Sequence, residues 1–173
     1  MTRVRRLMSA ALAACLLFAM PAGSEAASAD TPPVFEWPVK CVVGEDCFLR
    51  YFVDHVEGSG IGDYACGNLT YNGHKSTDIW VRDLSAMRHG FDVLSAAPGV
   101  VKAVRDGEPD LSVNARGRDT IVGREAGNAV VIDHGDGWQT QYSHLKNGSV
   151  RVQPGERIKA EEPIGQIGLS GQT

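Results

Sequence analysis

The chain has 173 residues, 43% hydrophobic and 22% charged, an ordinary length and composition for one globular domain with additional segments. A formal net charge of -4, with no block of basic residues beyond the first few positions, excludes electrostatic capture of a nucleic-acid backbone. Twenty glycines, eight prolines and few stretches of helical period point instead to β structure and turns, with helix scarce.

Residues 1–29 read as an export signal. Arg3, Arg5 and Arg6 precede an apolar run from Leu7 to Met20, and Pro21 and small residues follow, with cleavage offered after Ala26 or Ala29. The run is shorter than the roughly 20 residues a membrane span needs, so no stable span is expected. Leu12-Ala13-Ala14-Cys15 leaves lipid attachment at Cys15 as an alternative. Removal of the signal takes Arg3, Arg5, Arg6 and Glu25 away and brings the formal charge from -4 to -6. Export to a periplasmic or extracellular place permits disulfides. Cys41 and Cys47, across a short loop, are the preferred pair, which leaves Cys66 without a partner in the chain. A cysteine zinc site finds no Cys-x-x-Cys to support it.

Residues 30–67 read as a lead-in that carries Cys41 and Cys47. Its Pro-containing start (Thr31-Pro32-Pro33, Trp37-Pro38) leads to strands over Val39–Val43 and Cys47–Val53 about a Gly44-Glu45-Asp46 turn, then a Gly-rich loop over Asp54–Gly67. A domain over residues 68–173 follows. It opens with a strand near Leu69–Tyr71 and the Asn72-Gly73 turn, and with His74 and Asp78 four residues apart. Imidazole and carboxylate are zinc-type ligands. In an extended strand they would stand about 13 Å apart at roughly 3.3 Å per residue, so a shared metal requires a bend over Lys75–Thr77.

Asp83 is placed to cap a short helix through Arg88. Val93–Ala97 and Val100–Val104, about Pro98-Gly99, read as neighbouring strands of a meander. Arg105–Gly123 is charged and lacks an apolar period, and it reads as a surface loop, either bordering a substrate groove or as a tolerated insertion. Asn128–His134 and Trp138–Leu145, about Gly135-Asp136-Gly137, form the clearest hairpin signal. Period two puts Trp138, Thr140, Tyr142 and His144 on one face and Leu145 on the other. His144 is then either a buried, hydrogen-bonded side chain or a general base. His134, at the turn, reads as structural, and His55 and His89 carry no specific role. Two short strands near Val150–Ile158 and Glu162–Gly168 follow, and the absence of a closing element after Thr173 reads as truncation.

Together these blocks resemble the lysostaphin-type (LytM-domain) zinc peptidases of peptidase family M23. They are Gly73-His74-x-x-x-Asp78, Ala97-Pro98-Gly99-Val100-Val101, Val131-Ile132-Asp133-His134-Gly135-Asp136-Gly137, Tyr142-Ser143-His144-Leu145, and the Gly-rich close from Ile164-Gly165 to Ser170-Gly171. The resemblance implies a mainly β, antiparallel two-sheet or flattened-barrel fold, incomplete at its C-terminus. It implies Zn2+ held by His74 and Asp78, His144 as base or transition-state stabiliser beside the metal, and peptidoglycan peptides as the substrate of a monomer. The family's His-x-His motif would follow Thr173, so the parent is expected to be an endopeptidase and this polypeptide as given inactive. A non-catalytic LytM-like protein that binds peptidoglycan or activates another hydrolase is the alternative. Ser76 stands where the family commonly has Gly, at a cost if that position requires a positive backbone angle.

Overall fold

The computed structural model describes residues 32–173. The export-signal reading of residues 1–29 and the lipid alternative at Cys15 lie outside the described residues. In chain order the elements are β1 (Cys47–Tyr51), β2 (Asp78–Val81), α1 (Leu84–His89), β3 (Asp92–Leu94), β4 (Gly99–Arg105), α2 (Val113–Arg116), a 3-10 turn (Arg118–Ile121), β5 (Asn128–Gly135), β6 (Trp138–Leu145), β7 (Arg157–Ile158) and β8 (Pro163–Gln166).

The centre is a four-stranded antiparallel sheet in the order β6-β5-β4-β7. Its β5–β6 hairpin is fixed locally. Asp136 and Gly137 both have positive φ, 50° and 83°, the turn geometry whose twist matches two antiparallel strands. Alternation along β5 sends Val130 and Ile132 fully inward, where they meet Val101, Tyr142, Leu145, Val152, Ile158 and Ile164 in one core. Each fully buried aliphatic side chain of this kind contributes on the order of 1.5–3 kcal/mol.

Two smaller sheets flank the large one. The strand from Asp92 to Leu94 pairs with β8 and not with β4, so the expected meander is not formed. A bend at Ala96–Ala97 separates the two strands into different sheets, and β4 starts at Gly99. Close approach explains the glycine there, because a Cβ on Gly99 would lie 2.5 Å from the Asp133 carbonyl oxygen. β1 pairs antiparallel with β2, which ties the Cys-bearing segment to the strand that begins at Asp78. Cys41 and Cys47 are joined in a disulfide, and Cys66 is exposed and unpaired. Val39 and Val43 make only isolated bridges, and residues 69–71 form no strand. The fold is mainly β and antiparallel, in separate sheets that do not close into a barrel among the described residues.

Helix is confined to short pieces. Asp83 accepts the Ala86 amide at 2.8 Å and starts α1, as the sequence signal requires. The segment after Arg105, expected as a plain surface loop, contains α2 and the 3-10 turn and buries Val113 and Ile121. Its anchors are polar, which is why no apolar period betrayed them. Glu108 is buried against Arg124 (2.9 Å) and Arg116 (2.9 Å), the latter a charge contact without a well-directed hydrogen bond. These guanidinium groups, Arg116 foremost, hold the Glu108 carboxyl below its usual pKa. Among the described residues no helix is long and apolar enough to cross a membrane.

Candidate metal centre

The site is built on a tight turn and the strand that follows it. Asn72-Gly73 turns the chain with Gly73 at φ 76°, and the His74 amide closes the turn on Tyr71 O at 3.0 Å. Asp54 holds this turn in place. Its carboxylate accepts the amides of Gly73 (2.9 Å), Gly62 (3.0 Å) and Val56 (3.2 Å), and its own amide donates to His74 O at 2.8 Å. These bonds, that from Gly73 above all, lower the Asp54 pKa below its ordinary value. The chain then bends at Ser76 and enters β2 at Asp78, so the expected kink is where the metal reading requires it.

The imidazole of His74 is buried and oriented. Nδ1 lies 2.8 Å from Phe52 O, a carbonyl that can only accept, so Nδ1 carries the proton and the Nε2 lone pair is left facing outward. Tyr71 stacks on the ring at 4.3 Å, and Tyr51 meets it edge-on at 6.1 Å. Burial foremost, with the Asp78 carboxylate adding to it, raises the Tyr71 pKa, so its phenol stays protonated beside the site.

Nε2 faces Asp78 Oδ1 at 3.2 Å, and Ser76 Oγ lies 2.8 Å from the first and 3.1 Å from the second. Nε2, Asp78 Oδ1 and the Ser76 hydroxyl thus converge on one point. Tetrahedral zinc with bonds of about 2.0–2.1 Å sets neighbouring ligand atoms about 3.3 Å apart. The His74–Asp78 spacing fits two corners of such a site. Ser76 is not among the residues with positive φ, so its place between the ligands carries no backbone strain.

His144 is set differently from its expected alternation. Between β5 and β6 the register runs from Asn128↔Leu145 to Val130↔Tyr142, which gives β6 one extra residue, and His144 takes φ 60°. The bulge returns Leu145 to the same core as Tyr142, and it releases His144 from the face assigned by period two. Its Nδ1 donates to Ser170 O at 2.8 Å, leaving Nε2 as a proton acceptor. Ser170 is fixed in turn: its Oγ accepts the Asn128 amide at 2.9 Å and donates to Leu145 O at 2.7 Å. The fully buried Asn128 amide side chain bonds Glu108 N (2.7 Å), Glu108 O (2.9 Å) and Leu145 O (3.0 Å).

The structure thus brings His74 and Asp78 together. Among the described residues no group of three or more His, Cys, Asp or Glu side chains converges to hold a metal, so His144 is not a member of that cluster. His134 sits in a structural network: Nδ1 donates to Pro98 O at 2.7 Å, and Nε2 meets the Thr140 hydroxyl at 2.8 Å. Sequence reasoning overlooked Asp54 and Phe52 O, and it met Ser76 only as a replacement for the family's Gly, not as a partner of both His74 and Asp78. Ser76 alone had a local signal, its place between the two ligands.

The family model described as "Peptidase family M23" matches residues 72–173. The cell division protein DipM of Caulobacter vibrioides is 35% identical over 68 residues, which are 38% of this chain and 11% of DipM. A crystal structure of a zinc containing peptidase from Vibrio cholerae aligns at 24% identity and a TM-score of 0.42, covering 75% of this chain and 34% of that one. The match therefore spans about a tenth of DipM's length and about a third of the Vibrio chain.

Proposed function

The chain belongs to peptidase family M23, and from that premise we propose that it is an exported zinc endopeptidase acting, as a monomer, on the peptides of peptidoglycan. The observation that carries the reading is the 3.2 Å approach of His74 Nε2 and Asp78 Oδ1, with the His74 tautomer set by Phe52 O. His74 and Asp78 would hold the ion. When bound, zinc supplies a Lewis acid for the scissile carbonyl and lowers the pKa of water towards about 7.

The chain's own residues do the rest. The Asp54 bonds to the turn fix the direction of His74, and the stack of Tyr71 against its ring excludes water from one face. His144, with Nδ1 committed to Ser170 O, has Nε2 available to accept a proton or, once protonated, to donate to a developing oxyanion.

The test is digestion of purified murein by the protein isolated from its source, read as new α-amino groups. Cleavage should vanish with chelator, return with zinc, and be lost in His74→Ala and His144→Ala. No cleavage by zinc-replete protein would favour the second reading, a non-catalytic peptidoglycan-binding or hydrolase-activating protein. That reading draws support from the convergence of only two ligand-type side chains among the described residues.

A further inference from the structure

The two-stranded ribbon of β1 and β2 has an unusual outer face. Paired residues of an antiparallel ribbon share a face, so the Tyr51↔Asp78 and Phe48↔Trp80 pairs lie on the same side, two residues apart along β2. The opposite face carries Cys47, which is fully buried. The solvent side of such a ribbon is ordinarily polar. Here Trp80 is 50% and Phe48 40% exposed. The bulge after Leu49 swings Arg50 onto the same side, its guanidinium 4.2 Å above the Trp80 ring and 5.0 Å from that of Tyr51. Arg50 has no carboxylate partner among the described residues, although the chain is acidic. One Arg50 N–H donates to the Tyr51 hydroxyl at 3.4 Å, and the stacked guanidinium keeps its other N–H donors for a carboxylate. Phe48, Arg50 and Tyr51 precede the residues matched by the family model, and Asp78 and Trp80 lie within them.

From this juxtaposition we infer that the Phe48–Trp80 platform with Arg50 is a binding subsite for an acidic peptide, continuous with the His74–Asp78 pair. It rests on the proposed peptidase reading for its place in the reaction. Asp78 and Trp80 stand about 7 Å apart along the strand, and an extended peptide advances about 3.4 Å per residue. The subsite therefore receives the substrate residue about two positions from the bond at the metal. Small apolar groups lie on the two rings, and a side-chain or terminal carboxylate meets Arg50. Trp and Arg are among the side chains that dominate binding surfaces, and an exposed patch carrying Trp80, Phe48 and Arg50 marks an interaction site.

The experiment is fluorescence anisotropy with the full 173-residue chain in EDTA, so that binding is read without hydrolysis. The probes are a fluorescein-labelled Ala-Glu-Lys-Ala-Ala peptide with free carboxylates and the same peptide with every carboxylate amidated. The wild-type chain should prefer the acidic probe by about tenfold or more. Arg50→Gln should erase that preference, and Trp80→Ala should weaken both probes by about tenfold. Both positions are exposed, and circular dichroism should show the fold unchanged. Equal binding of the two probes, an intact preference in Arg50→Gln, or binding of an N-acetylglucosamine oligosaccharide in place of the peptide would overturn the inference. Intact acidic preference without murein digestion would refute the hydrolase reading alone. Digestion without the preference would refute this subsite alone.

Discussion

Replacing Asn128 with alanine tests the buried polar junction between Glu108 and Leu145. Asn128 is fully buried, and its amide closes three hydrogen bonds, two to the Glu108 backbone and one to Leu145 O. Leu145 O keeps a second donor in Ser170 Oγ, but the Glu108 N–H and C=O bond only to this amide among the described residues. Each buried polar group left unpaired costs about 1–3 kcal/mol, and the third lost bond adds about 1 kcal/mol. The substitution should therefore cost about 3–7 kcal/mol, a large part of the roughly 5–15 kcal/mol that holds a domain folded. Urea unfolding followed by far-ultraviolet circular dichroism measures it. The backbone N–H of Asn128, which alanine keeps, still donates to Ser170 Oγ, so Ser170 O should keep its hold on His144 Nδ1. The 15N signal of His144 Nδ1 in the folded variant should therefore stay that of a ring bonded to a carbonyl. A loss under about 1 kcal/mol, or a His144 signal that moves to that of a solvated ring, would refute the reasoning.

Zinc competition against a chromophoric chelator should show binding by the chain that falls at least about tenfold in His74→Ala and in Asp78→Ala, since each removes one of two donors. Equal binding in either variant would place the ion elsewhere. Because the folded pKa of Asp54 is depressed below the ordinary 3.8, its contribution is complete above that value and is lost as pH falls through the lower, folded one. The Gly73 amide signal should thus titrate with a midpoint below 3.8, and Asp54→Asn should abolish that titration. A midpoint at or above the ordinary value would contradict the hydrogen-bond account. Joint replacement of Cys41 and Cys47 by alanine should cost about 2 kcal/mol in urea unfolding, because the loop closed by the disulfide is short. A cost above about 5 kcal/mol would mean that the bridge does more than constrain the unfolded chain.

Several parts of the molecule were legible where the determining interactions are local. Gly135-Asp136-Gly137 specifies a tight hairpin because its backbone angles are ones glycine and aspartate tolerate, and Asp83 specifies a helix start through its own side chain. The His74–Asp78 spacing likewise demanded a bend if one ion was to be shared, and a bend at Ser76 brings the two side chains together.

What only the tertiary structure decided is the choice among partners distant in sequence. The strands around Val93 and Val101 look alike locally, yet core packing pairs one with β8 and the other with β5 and β7. The bulge at His144 has no glycine to announce it. It follows from fitting both Tyr142 and Leu145 into one core while Ser170 O captures the imidazole. The folding of residues 105–124 was equally hidden, because Glu108, Asn128 and the two arginines anchor it through polar bonds that leave no hydrophobic period. Local chemistry sets turns and caps, whereas strand partners and buried polar junctions are settled by which distant groups can be satisfied together.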